Sequence, residues 1–198
     1  MQQLRYIRKQ GAEIASVIDE LAQLRIAVFY DFPYLYEGTI GYERIYLQTY
    51  VQAEKAFLFA VYDGDKMVGA TTCIPLSNET PEVQEPFVNA GMDVDSIFYF
   101  GESILLAAYR GHGLGHRFFD EREAHAASFG TFKQTCFCAV DRGESHPLQP
   151  IDYRPNDVFW LKRGYEKTPS LQCTMEWLDR GETQATSKPM IFWTKSLV

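Results

Sequence analysis

Three glycines at alternate positions, Gly111, Gly113 and Gly115, stand in the run Arg110-Gly111-His112-Gly113-Leu114-Gly115-His116. Glycine accepts positive φ and lets a ligand approach the backbone closely. Backbone N–H groups gathered at the start of a helix, where its dipole is positive, favour an anion such as a pyrophosphate. Arg110 and His116 would add charge or hydrogen bonding at the rim. An ordinary strand-to-helix turn uses the same glycines, so spacing by itself leaves both readings open. It argues against a dinucleotide, whose Gly-x-Gly-x-x-Gly fingerprint sits in a parallel sheet with an acid on the next strand. His112, His116 and His125 mix turn and helix positions without a second acid cluster, so no metal is expected.

Those residues need a strand before them and a helix after. Ile97 to Ala107 has strand character around Phe98, Phe100 and Ile104, and good helix formers run from Gly113 to about Phe129 before Gly130 stops them. Upstream, the two apolar runs of Ala56 to Ile74 flank Asp63-Gly64-Asp65 and predict an antiparallel hairpin. Leu4 to Arg8 reads as a first strand, and Ile14, Val17, Ile18, Leu21 and Val28 recur at helical spacing. The aromatic segment Phe29 to Tyr50, broken at Pro33, reads as a loop-helix lid or wall, and Asn78 to Asp95 as a short surface helix or loop. Downstream, Thr131 to Val140 alternates like a strand and Val158 to Arg163 is helical up to Gly164. A half-exposed strand covers Leu171 to Trp177, Gly181 to Pro189 connects, and Met190 to Trp193 gives one more strand. The order β-α-α-β-β-β-α-β-α-β-β predicts an α+β chain, one domain over 1–198, with a mixed, mostly antiparallel sheet of about seven strands and helices on both faces.

The formal charge of −7, from 19 Lys plus Arg against 26 Asp plus Glu, disfavours nucleic acid. Cys73, Cys136, Cys138 and Cys173 lie in apolar or alternating stretches without the CxxC spacing of zinc sites, and read as core thiols in a reduced compartment. Without a signal-like start or a membrane-length apolar run, a cytoplasmic protein with no membrane partner is expected.

The motif Arg110 to Gly115, between a strand and a helix, resembles the Gln/Arg-x-x-Gly-x-Gly/Ala motif of the GNAT superfamily of N-acetyltransferases. The order of elements around it is similar too, including the aromatic-x-x-x-Gly-aromatic pattern of Trp160 to Tyr165. The resemblance covers most of the chain, most strongly from about Phe98 to Met175. It implies that acetyl-CoA is the cosubstrate, its pyrophosphate held at Arg110, Gly111, His112, Gly113, Leu114, Gly115 and His116, its pantetheine along Leu105, Leu106 and Ala107. It implies transfer to an amine acceptor, small molecule or protein, with a homodimer compatible. Glu102, on the motif strand, is the implied general base, with Asp141 and His146 as weaker candidates. Many relatives carry a tyrosine acid where this chain has Trp160, which lines the slot or merely packs there. Tyr165 or Tyr153 could substitute. The alternative is an acyl-CoA-binding sensor that has lost the acid. Phe29 to Tyr36 and the Trp193 region are where acceptor contacts are expected.

Overall fold

The computed structural model of the chain describes residues 4–197. Strands β1 (Arg5–Gln10), β2 (Phe57–Asp63), β3 (Lys66–Pro75), β4 (Ile97–Leu105), β5 (Gln134–Val140), β6 (Glu166–Trp177) and β7 (Thr186–Ser196) form one sheet in the order β1-β2-β3-β4-β5-β7-β6. Every neighbouring pair is antiparallel except β4 and β5. The β2–β3 hairpin closes with Asp63 opposite Lys66, so Gly64 and Asp65 are the whole turn, and Gly64 carries the positive φ that such a tight connection needs.

Five α-helices cover the sheet: α1 (Ile18–Phe29), α2 (Ile40–Gln52), α3 (Pro81–Asn89), α4 (Leu114–Ser128) and α5 (Asp157–Lys162). Alternation along the strands splits the core in two. Leu58, Ala60, Tyr99 and Ile104 face α1, α2 and α3, which bury Leu21, Leu47 and Phe87 against them. Phe59, Phe98, Phe100 and Phe137 face α4 and α5, and Phe118 and Phe119 of α4 pack there. The aromatic segment after α1 becomes a loop over 30–39 and then α2, whose Thr39 hydroxyl accepts from the Tyr42 N–H.

Two boundaries differ from the sequence reading. β6 starts at Glu166, five residues early, because a register irregularity between Thr168 and Gln172 lets the strand absorb Pro169. β7 starts at Thr186 and includes Pro189, whose carbonyl accepts from the Asp141 N–H just where the ladder to β5 ends. Among the described residues no helix is long and apolar enough to cross a membrane.

Candidate functional site

The parallel pairing of β4 with β5 lasts only three residues, Ile97 to Tyr99 against Gln134 to Cys136. Beyond that the strands part, while β5 stays paired to β7 along its whole length and β4 to β3. The sheet therefore opens in its middle and leaves two strand edges facing a gap, each carrying backbone groups that need partners. Leu106 donates its N–H to the Val68 carbonyl at 2.9 Å, so the alternation of an antiparallel ladder aims the N–H and carbonyl of Leu105 away from β3, toward the gap. The Leu105 carbonyl accepts from Arg110 Nε at 3.1 Å. Leu106, against expectation, has both its N–H and its carbonyl engaged within the protein, the latter by the Tyr109 N–H, and the Ala107 carbonyl accepts from the Arg110 N–H. A cavity of about 300 Å³ fills the gap, walled by Ser103, Phe119, Phe137, Cys138, Trp160 and Trp193.

At one end of the gap the chain turns through Arg110 to Gly113 into α4. Gly111 and Gly113 both have φ near +80°, and a Cβ on either would meet nothing within 4 Å. The conformation explains the glycines, and the empty space above them is the cradle a bound group would use. Gly113 is the N-cap of α4 and no side chain caps it. The first intrahelical bond runs from the Arg117 N–H to the Gly113 carbonyl at 3.2 Å, so the N–H groups of Leu114, Gly115 and His116 lack intrahelical acceptors. This helix start can hold an anion. Arg110 turns back on the Leu105 carbonyl, and the His116 ring lies edge-on to Phe159 at 4.9 Å. His125 is elsewhere, half-buried, stacked on Phe57 and bonded to the Lys55 carbonyl.

Where the gap begins, β4 takes one extra residue. Thr71 pairs with Ser103 and Cys73 with Phe100, two steps on β3 against three on β4, so Gly101 and Glu102 form a bulge. Thr71 Oγ1 at 2.7 Å and Arg122 Nη1 at 3.3 Å both donate to the Glu102 carbonyl and fix its orientation. Arg122, buried between the rings of Phe100 and Phe119, has its pKa lowered by burial to about 10 and its Nη2 without a partner. Glu102 is itself buried, its carboxylate paired with Arg25 and accepting from Thr72 Oγ1. Arg25 also pairs with buried Glu43, which accepts from the Tyr36 hydroxyl at 2.7 Å. Glu102 is thus on the α1–α2 face and committed to an arginine, a poor arrangement for taking a proton.

The bulge brings in residues with no sequence signal. A Cβ on Gly101 would overlap the Tyr50 hydroxyl, so glycine is required there for steric reasons. That hydroxyl donates to Glu79 Oε1 at 3.2 Å. Glu79 is buried between β3 and α3, and burial raises its pKa above the ordinary carboxylate value. It lines a second cavity, about 520 Å³, together with Arg25, Tyr34, Tyr36, Tyr46 and Trp177. Phe29 and Tyr34 border both cavities, so the two adjoin at the end of α1 and the loop after it. In sequence Glu79 is one acid in a polar stretch. Only the apolar spacing of Leu76, Val83 and Phe87 hints that its neighbours turn inward.

Tyr165, against expectation, does not line the cleft. Its hydroxyl is buried near Thr135 Oγ1 at 3.0 Å and donates to Glu123 Oε1 at 3.2 Å, and burial raises its pKa. Tyr153 does line the cleft, its ring edge-on to Phe32 at 4.6 Å. Asp141 borders it too but accepts from the Gly143 N–H, and His146 accepts from the Leu148 N–H at Nδ1. Trp160 is in the cleft wall, 5.0 Å from Phe137 and 5.1 Å from Trp193 between ring centroids.

No family model and no curated protein matches this chain. Solved structures do match. An N-acetyltransferase from Staphylococcus aureus Mu50 superposes with a TM-score of 0.62 at 12% identity, covering 98% of this chain and 99% of that one. A Desulfovibrio desulfuricans protein assigned to the GNAT family of acetyltransferases gives 0.58 at 11% identity, over 99% and 100%. The chain has the GNAT fold. An aminoglycoside 6'-N-acetyltransferase solved with coenzyme A gives 0.56 at 15% identity, over 97% of each chain. At such identities the likeness is one of fold, and the split sheet and uncapped helix start described above are this chain's own features within the GNAT fold.

Proposed function

We propose that the chain is an acetyl-CoA-dependent N-acetyltransferase acting on a primary amine. The observation that carries this reading is the opening between β4 and β5 beside the uncapped start of α4: two unpaired strand edges lead to a set of free N–H groups behind positive-φ glycines. A donor whose extended amide-bearing arm is joined to a pyrophosphate matches both parts, since amide groups along the arm bond a strand edge and the anion takes the helix start. The GNAT fold of the chain and the CoA-bound neighbour support the choice of donor. In this reading His112 to His116 hold the pyrophosphate and the Leu105 N–H bonds the pantetheine. Trp160 walls the slot, and Tyr153, a tyrosine of the cleft wall, returns a proton to the departing thiolate. Glu102 and Tyr165 act as supports, the first for the bulge and the second for the wall behind it.

The test is thermal unfolding followed by thiol release. Acetyl-CoA and CoA should raise the melting temperature while NAD does not, because a ligand that binds only the folded state stabilises it by mass action. Primary amines should then release free thiol from acetyl-CoA. No melting shift at millimolar acetyl-CoA overturns the proposal, and a shift without thiol release from any amine reduces it to an acyl-CoA binder.

A further inference from the structure

The 520 Å³ cavity walled by α1, α2, the start of α3 and β6 has an unbalanced lining. Among its lining residues buried Glu79 stands with one cation, Arg25, whose guanidinium is already paired with buried Glu43 and Glu102. Glu43 and Glu102 share Arg25 between them, whereas Glu79 is bonded only by the Tyr50 hydroxyl and the Thr80 N–H and has no ion pair among the described residues. Glu82 of α3 and Glu176 of β6 add further negative charge at the rim. Removing carboxylates from water without matching cations is costly, so a cavity built this way favours a positive guest. Its walls supply the other half of such a site: Phe29, Tyr34, Tyr46 and Trp177 line it, and aromatic rings of this kind suit an alkylammonium with an apolar body.

We propose that this cavity takes the acceptor as an ammonium ion on an apolar body, and that Glu79 is the group that accepts its proton. The inference rests on the acetyl-transfer reading and names its substrate class. Glu79 lines the cavity, and the Tyr50 hydroxyl that donates to it lies against Gly101 of the β4 bulge, a residue that lines the first cavity, so one hydroxyl stands between the carboxylate and that wall. The ammonium N–H proton passes to the Glu79 carboxylate, directly or through Tyr50. The freed nitrogen lone pair then forms the C–N bond to the thioester carbonyl carbon, the C–S bond breaks, and the second proton that leaves the nitrogen balances the one the departing thiolate takes up, so that amide, thiol and a protonated Glu79 result. Burial raises the Glu79 pKa above its ordinary value, the direction that makes its carboxylate a better proton acceptor.

The experiment compares wild type, Glu79→Gln and Tyr50→Phe, with 2-phenylethylamine as the cationic probe and 3-phenylpropionate as its anionic counterpart. In wild type the amine, and not the acid, should raise the melting temperature and release thiol from acetyl-CoA. Glu79→Gln should lower kcat roughly a hundredfold or more while the melting shift given by acetyl-CoA stays as in wild type. It should also remove the acidic limb of the kcat/KM profile, which in wild type falls off through a value above about 4.3. Its own melting temperature at neutral pH should equal or exceed that of wild type. A carboxyl with a pKa raised by folding lowers stability as pH climbs from the unfolded value through the folded one, and glutamine has no such term. Tyr50→Phe, which keeps the ring, should lower kcat and leave the acetyl-CoA shift intact. Glu79→Gln within about threefold of wild-type kcat, or equal stabilisation by the anionic probe, overturns the inference. So does an acetyl-CoA shift with no response to the amine. Loss of the acetyl-CoA shift in wild type would instead sink the acetyl-transfer reading beneath it.

Discussion

Arg25 neutralises two buried carboxylates from different elements, Glu43 of α2 and Glu102 of β4, and stacks against Tyr46 with 4.5 Å from guanidinium carbon to ring centroid. Removing the cation strands both acids in a low-dielectric interior. Arg25→Met, which keeps the apolar stem, is expected to cost about 3–5 kcal/mol, read as a lowered urea midpoint. Glu79→Gln differs in kind, because that carboxylate has no cation to lose. The contrast separates a structural acid from a working one, and it explains why Glu102 was the more legible candidate. Its position on the motif strand could be read from the chain, but the partner that commits it comes from a helix 77 positions earlier. Tyr165 has the same history: its adjacency to Gly164 was visible, while the contact with Glu123 that draws its hydroxyl from the cleft depends on how α4 packs.

Elements whose signals are local were readable. The two-residue turn of the β2–β3 hairpin, the positive-φ Gly113 that starts α4 and the Gly164 that ends α5 are properties of a few adjacent residues. The bulge of β4 was not, since an extra residue in a strand is defined only against its partner, and the lone Gly101 in the strand hints at a bulge or close approach without saying which. Its sensitivity is nevertheless testable. Gly101→Ala adds a methyl where the Tyr50 hydroxyl already lies, with Thr72 Oγ1 2.8 Å from the same point. The backbone of β4 or the ring of Tyr50 must move, and overpacking of this kind costs typically 1–3 kcal/mol. The expected result is a lowered midpoint in urea together with loss of thiol release. By contrast, the strand length of β6 and the reach of β7 past Pro189 were misjudged because each proline reads as a break, whereas here one falls in a register irregularity and the other at the end of a ladder.

At the scale of the molecule, three loops that surround the opening are tied at Arg142. Its guanidinium donates to the carbonyls of Pro33 and Tyr34 in the α1–α2 loop and bidentately to Asp179 after β6, at 2.6 and 2.9 Å. Trp177 Nε1 donates to the same Tyr34 carbonyl and to Asp179, and Lys188 approaches Asp179 at 3.3 Å. Burial alone would push the Asp179 carboxyl up, but Arg142 and Lys188 hold its pKa below the usual value. A depressed carboxyl contributes stability that is complete above the unfolded value, about 3.9, and that is lost as pH falls through the still lower folded one. Wild type should therefore lose stability as pH falls below about 4, and Asp179→Asn should show a smaller acid-dependent drop from a lower neutral-pH starting point, both measured as urea midpoints.

The parting of β4 from β5 also has a mechanical meaning. The sheet is two panels, four strands and three, joined along one side by only three residue pairs and open along the other. A guest lying in that opening with amide groups of its own would bridge the panels in place of the hydrogen bonds that the strands do not make with each other. It would be the seam of the sheet, so that the rigidity of the panels relative to one another is set by what the protein is holding.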